Sequence, residues 1–343
     1  MDNRSTAILP AQWPGITSKE PDARAGADVA AWAGGDVAAQ LEQRFGRLPV
    51  RQRLGLEDDH EARCTDRRHG SSRRRWYRSP PIIRNSLKLT GLYWRGRKNA
   101  ERIQIRHHEV HAGGLPTAFD GFTILQLSDL HIDMNKGAMR HLAALLPGLA
   151  YDLCVLTGDY RGKTYGPFAA TLDGMADLRR KLAGPVYGVL GNHDSLRMVP
   201  ALEEMGIRML VNEAELLLRD GQRLHLAGVD DAHSYRLDNI EKAAAEIPEG
   251  EFSILLSHTP EIYRQAAHAG FDLLLSGHTH GGQICLPGAI PVTLDSALPR
   301  RMGAGSWRYG HMVGYTSVGV GSCIVAVRIN CPPEITLHHL RTR

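Results

Sequence analysis

Beyond about position 120, apolar residues follow two alternating rhythms. Short, nearly uninterrupted apolar runs occur at Phe122–Ser128, Leu153–Thr157, Val186–Leu190, Phe252–Leu256 and Phe271–Ser276, and Arg223–Val229 alternates apolar with polar. Runs of that length, rich in Leu, Ile and Val, predict strands, the continuous ones covered on both faces. Between them, apolar residues recur three and four apart. Gly137–Ala150 does so up to a break near Pro147, and Phe168–Leu182 until Gly184-Pro185 stops it. Val199–Met205 carries Pro200 in its first turn and ends at Gly206; Ile240–Glu246 and Glu261–Ala269 complete the set. These predict helices. Tyr315–Val320, Ile324–Ile329 and Ile335–Leu340 are β-like, and no long helix returns after them. Alternation followed by a β-rich tail predicts an α/β protein with mixed sheets flanked by helices.

Upstream the pattern fades. Residues 1–80 are rich in Ala, Gly and Arg, offer one weak helix at Asp28–Leu41, and close on the cluster Ser71-Ser72-Arg73-Arg74-Arg75. A mostly disordered arm is expected there, or a natural start further downstream. Residues 81–114 form a lead-in to a principal domain at 115–343. In the lead-in, Ile82, Ile83, Leu87, Leu89, Leu92, Tyr93 and Trp94 interleave with Arg84, Lys88, Arg95, Arg97 and Lys98. Such a segment either lies on an anionic membrane surface or packs on the domain with its cations in water. The pattern alone does not separate the two.

Composition changes this picture in a few respects. With 343 residues and 43% hydrophobic positions, a sizeable core is easily built. Residues 1–110 hold 21 Lys+Arg against 13 Asp+Glu, a net of +8; the remainder holds 20 against 24, a net of −4, so the whole is +4. The five cysteines, odd in number and irregularly spaced, include no CxxC pair, so neither a disulfide scaffold nor a zinc finger is indicated. Cys154, inside a strand-like run, reads as a small buried hydrophobe. There is no signal-type apolar region and no run near the roughly 20 apolar residues that span a bilayer. A cytoplasmic protein is expected, with peripheral contact at the inner membrane through residues 82–98 as the extension of that reading. No known nucleic-acid-binding pattern accompanies the basic arm, so no specific nucleic-acid partner is expected.

Five short motifs carry the chemistry: Asp129-Leu130-His131, Gly158-Asp159, Gly191-Asn192-His193-Asp194, Ser257-His258 and Gly277-His278-Thr279-His280. Each follows a predicted strand, where open α/β sheets place their sites. Residues two apart on an extended chain share a face, so Asp129 and His131 can reach one metal. The two carboxylates bring about two negative charges, and the other donors are neutral; two divalent cations would leave about +2, lowered to about +1 by a bridging hydroxide. A donor set of N and O without thiolate suits Mn, Fe, Zn or Co better than Ca or Mg. Arg161, Lys163 and Gln283 are candidates for substrate contact. Asp133 reads as a loop carboxylate, Asp152 and Asp272 as caps beside strands, and Asp230, Asp231 and His233 as a polar cluster that either lines the pocket or simply builds a turn.

In this order, SDLH, TGD, GNHD, LSH and GHTHGG resemble the motifs of the calcineurin-like metallophosphoesterases, over roughly Phe122–Leu340. The run Gly319-Val320-Gly321-Ser322 with Arg328-Ile329-Asn330-Cys331-Pro332-Pro333-Glu334-Ile335 resembles the small bacterial phosphodiesterase branch, which includes enzymes of the UDP-2,3-diacylglucosamine pyrophosphatase type. The resemblance implies a four-layer αββα sandwich. It implies that Asp129, His131 and His280 hold one of two divalent metals, that Asn192, His258 and His278 hold the other, and that Asp159 bridges them. It further implies a metal-bridging hydroxide as nucleophile, His193 as contact to the scissile phosphate and proton donor, and Asp194 orienting that imidazole. The expected activity is phosphodiester or pyrophosphate hydrolysis, on a lipid-linked substrate in its sharpest form. The alternatives are a soluble small-molecule phosphatase or nucleotide phosphodiesterase, and a metal-binding interaction module without turnover.

Overall fold

The computed structural model describes residues 36–66 and 80–342. Two mixed six-stranded sheets stack face to face. The first runs, in spatial order, β1 (Gln104–His111), β14 (Glu334–Arg341), β2 (Thr123–Leu127), β3 (Leu153–Leu156), β4 (Val186–Gly188) and β5 (Arg208–Met209). The second runs β12 (Gly305–Tyr309), β13 (Met312–Thr316), β9 (Leu273–Ser276), β8 (Ser253–Leu256), β7 (Gln222–Gly228) and β6 (Glu213–Arg219). A small hairpin, β10 (Cys285–Leu286) with β11 (Ile290–Pro291), stands apart. The central strands β2, β3, β8 and β9 are buried at every position, which is why their sequences read as unbroken apolar runs.

Between the sheets, Ile124, Leu153, Val155 and Tyr187 meet Leu226, Ile254, Leu256 and Leu275. The outer face of the first sheet is covered by α5 (Lys136–Leu145), α6 (Ala169–Arg179) and α7 (Val199–Glu204) through Leu142, Leu172, Met175 and Leu202. The outer face of the second is covered by α8 (Ile240–Ala244) and α9 (Tyr263–His268) through Ala243, Tyr263 and Ala266. The expected four layers, αββα, are thus present.

Three expectations need correction. The arm expected over residues 1–80 is not featureless: α1 (Asp36–Phe45) and α2 (Arg47–Asp66) pack on the α7 side of the first sheet, burying Val37, Leu41, Phe45 and Val50 in the same core. Residues 1–35 and the arginine cluster at 71–75 lie outside the described residues. Second, a domain boundary at 115 cuts through the sheet, because β1 pairs in parallel with β14 along its whole length. Third, Ile324–Ile329 is no strand. Val325, Val327 and Ile329 do point inward, but they pack under α3 (Pro80–Leu89) against Leu87, and only Ile329 makes an isolated bridge, to Ile284. With α4 (Leu92–Asn99), α3 forms a helical pair at the edge of the site.

Candidate metal centre

Each ligand-bearing loop leaves the carboxyl end of a parallel strand, and the loops are laced together. Asp129 N donates to Gly158 O and His131 N to Asp159 O, both at 3.0 Å, so the β2 and β3 loops run as one ribbon. The backbone here is tightly turned. Five of the seven expected ligands hold left-handed φ: Asp129 (50°), His131 (39°), Asp159 (57°), His278 (69°) and His280 (51°). Such conformations cost about 1–3 kcal/mol each and persist only when their surroundings impose them. Gly158, at φ 88°, is needed for a further reason: a Cβ there would lie 2.7 Å from both Gly191 N and His258 Nδ1. A side chain would push apart two of the ligand loops.

Two buried groups of donor atoms result, Asp129 with His131 and His280, and Asp159 with His258 and His278. His131 Nε2 is 3.1 Å from His280 Nε2, which is 3.4 Å from Asp129 Oδ1. Asn192 Oδ1 and His278 Nδ1 are 3.1 and 3.2 Å from His258 Nε2. Asp159 Oδ2 stands between the groups, 3.4 Å from His258 Nε2 and 3.8 Å from His131 Nε2.

The remaining ring nitrogens show what this cluster suits. His131 Nδ1 donates to Arg161 O (2.8 Å), His258 Nδ1 to Thr157 O (2.8 Å) and His278 Nε2 to Asp295 O (3.0 Å). Those bonds fix the tautomers and aim the other nitrogen of each ring, a bare lone pair, at the centre. Lone pairs, an amide oxygen and two carboxylates facing one another in a dry interior repel unless a cation sits among them. Protonation behaviour agrees. Burial pushes His131 and His278 down to about 4, so both are neutral donors. Burial also disfavours the charge on Asp159, yet His258 and His193 hold that carboxyl well below its usual range. Burial lifts Asp129 to about 6. Burial alone would lower His258, but Asp159 beside it raises it to about 10, a sign of how strongly the carboxylates favour positive charge at this point. The residues present fit a pair of metal ions.

His193 sits at the open side, with its side chain 23% exposed and Nε2 3.9 Å from Asp159 Oδ2. Its expected partner is not Asp194. The Asp194 carboxylate is fully buried and accepts from the backbone N–H groups of Asp159 (2.8 Å), Tyr160 (2.9 Å) and Gly191 (2.9 Å). It ties one ligand loop to another, its oxygens turned toward those amides. Thr164 Oγ1, 3.0 Å from His193 Nδ1, takes that place.

The candidate substrate contacts fare differently. Arg161 is buried, and its guanidinium donates to the carbonyls of His193, Thr164 and Gly166, so it is a loop clamp. Lys163 is exposed. Gln283 lines the cleft but commits its amide to Cys323 and Val325. Asp152 and Asp272 cap neighbouring strands at Thr123 N and Ser253 N, and Asp231 caps the turn at Ser234 and Tyr235. Four further histidines pair across the β1–β14 edge, His107 with His339 and His108 with His338.

Two contributors escaped the sequence reading. Thr164 lies in a loop without pattern. Arg328, fully buried, donates to the carbonyls of Val318 (2.7 Å) and His280 (3.1 Å) and lies 3.2 Å from His280 Nδ1. Its only signal was an arginine among the apolar residues of the 319–335 run.

Comparison with known proteins agrees with this geometry. The family model for calcineurin-like phosphoesterases matches residues 122–282. The metallophosphoesterase YkoQ of Bacillus subtilis is 30% identical over 265 residues, covering 74% of this chain and 96% of YkoQ. YkuE of the same organism is 30% identical over 253 residues, covering 70% and 86%. The phosphodiesterase YaeI of Escherichia coli is 28% identical over 232 residues, covering 64% and 82%. A ligand cluster of this composition, in a chain that matches such relatives along most of their length, belongs to the calcineurin-like phosphoesterase family, a family of metal-dependent phosphoric ester hydrolases.

Proposed function

We propose that this phosphoesterase cleaves phosphodiesters or pyrophosphates that carry an apolar tail, and that it meets them at the inner membrane surface. The observation behind this reading is the two-faced cleft above the ligands. Its volume is about 350 Å³; Asp159, Asn192, His193, His278 and His280 form one side, and Ile83, Ile284, Val292, Ile324 and Val325 the other. Val292 and Ile324 remain 54% and 51% exposed. Large apolar side chains left open at a cleft mouth mark a binding surface. None of the described residues lining the cleft is Lys or Arg. A diester carries one negative charge, and a disubstituted pyrophosphate one per phosphorus, whereas a monoester dianion gathers two on one phosphorus; a cleft without added cations favours the former pair.

The α3–α4 pair supports the membrane part of the reading. One face packs through Leu87 on the 325–329 loop, while Leu89 and Trp94 stand 89% and 67% exposed among Arg84, Lys88, Arg95, Arg97 and Lys98. Apolar groups ringed by cations suit an anionic lipid surface. Among the described residues no helix is long and apolar enough to cross a membrane.

Two divalent ions, of Mn, Fe, Zn or Co by the donor set, would supply neutralising charge at the phosphoryl oxygens and a water of lowered pKa. Asp159 would be shared between both ligand groups. His193 would donate a proton to the leaving oxygen, with Thr164 fixing its ring. The test is a substrate panel with metal-loaded protein: bis(p-nitrophenyl) phosphate, p-nitrophenyl phosphate, and a diester bearing a long acyl chain. Diester turnover above monoester turnover, with the acylated diester best in kcat/KM, is expected. An acylated diester no better than the soluble one would defeat the apolar-tail reading and leave a soluble small-molecule phosphodiesterase.

A further inference from the structure

The loop bearing Asn192 and His193 is gripped from outside the family-matched region. We propose that Arg53 and Glu57 of α2 are positioning residues for this loop, so that the N-terminal helical pair forms part of the catalytic support.

Every residue from 193 to 196 is clamped separately. His193 N donates to Asp159 Oδ1 at 2.9 Å, and His193 O accepts from the Arg161 guanidinium. Asp194 O accepts from Arg53 Nη2 at 3.0 Å. Ser195 Oγ donates to Glu57 Oε2 at 2.5 Å, and Leu196 N to Glu57 Oε1 at 2.8 Å. Arg53 Nε donates in turn to Glu57 Oε1 at 3.0 Å, which makes the two α2 side chains one rigid fork. Behind the fork, the Arg53 guanidinium lies 3.5 Å from the centre of the Tyr235 ring, and Nη1 is 3.6 Å from Asp230 Oδ1.

The chemistry of this contact is unusual for a docked helix. Among the described residues of α2, Val50, Arg53 and Glu57 are buried and Leu54 packs half-buried on the same core, so a charged pair makes up half of the inward face. Arg53 is 1% exposed. Burying an ion pair is a poor way to gain stability, because apolar side chains of similar volume generally do as well or better. What the fork provides, and apolar packing does not, is directional bonds to three consecutive residues beside the catalytic loop. Displacing a reacting group by about 1 Å costs on the order of 10²-fold in rate, so a support of this kind has a function to serve.

The part of the proposal that concerns substrates rests on His193 as the proton donor. A loosened loop should hurt esters whose leaving group needs the proton most. In the full-length protein, Arg53→Ala and Glu57→Gln should lower kcat for a phenyl diester roughly tenfold more than for a p-nitrophenyl diester, with KM little changed. Methylguanidinium should restore part of the loss in Arg53→Ala and none in His193→Ala. Hydrogen exchange of the amides of residues 191–197, read without any substrate, should quicken roughly tenfold in both variants. Glu57→Gln, nearly isosteric, carries the test should Arg53→Ala fail to fold.

His193→Ala separates the two ideas. If it shows the steep leaving-group dependence while the α2 variants do not, positioning is overturned and the acid assignment stands. If His193→Ala shows no such dependence, the acid assignment fails, and exchange at 191–197 decides the positioning role. Unchanged exchange in both α2 variants overturns it.

Discussion

The floor and the wall of the cleft are built on opposite principles. The floor consists of short loops at strand ends, five of its ligands in left-handed backbone, every carboxylate buried and bonded. The wall consists of apolar side chains from α3, the flanks of the β10–β11 hairpin and the irregular 323–325 segment, with Val292 and Ile324 about half exposed. Rigid geometry serves charge placement at a reacting phosphorus. An apolar wall serves recognition, where area counts more than angle. On the proposed function, the chemistry of this protein resides in the floor and its selectivity in the wall.

Substitutions can break that division, starting with the floor. Asp159→Asn should abolish turnover of every ester, a loss beyond about 10³-fold, because the carboxylate shared by both ligand groups is gone. Elemental analysis should show metal content falling with it. Next, His193→Ala should retain metal and lose about 10²–10⁴-fold in kcat. Retained rate with retained metal would remove His193 from the reaction. The wall comes third. Val292→Asp with Ile324→Asp should lower kcat/KM for an acylated diester by about tenfold, the worth of a lost apolar contact, while bis(p-nitrophenyl) phosphate turnover holds within about twofold. Equal losses on both substrates would mean that floor and wall are not separable. The smallest effect belongs to the α3–α4 pair. Leu89→Glu with Trp94→Glu should weaken sedimentation with anionic liposomes several-fold, roughly a kcal/mol of surface binding, and leave soluble-ester rates unchanged.

The same division explains what could be read from the sequence. Ligands at the ends of β2, β3, β8 and β9 were legible because strands buried on both faces are uninterrupted apolar runs, and a polar residue just beyond such a run stands out. Roles that depend on backbone contacts were not legible. Asp194 and Arg161 looked like chemical groups, but one gathers amides and the other carbonyls. The β1 strand was invisible because it is an exposed edge, with Val110 its only buried residue. Helix α2 escaped for a different reason: Arg53 and Glu57 share its inward face with Val50 and Leu54, so no unbroken apolar period marks it. At Val325, Val327 and Ile329 the alternation was real, but a helix rather than a neighbouring strand answers it.

The central claim is that the seven residues Asp129, His131, Asp159, Asn192, His258, His278 and His280 bind a pair of catalytic metals. Elemental analysis of the purified chain, reconstituted separately with Mn, Fe, Zn and Co and assayed on bis(p-nitrophenyl) phosphate, measures this directly. Two equivalents of bound metal, with hydrolysis rising as the second is filled, is the predicted result. Hydrolysis that proceeds undiminished in chelator, or a chain that takes up no metal under any of these conditions, would contradict it.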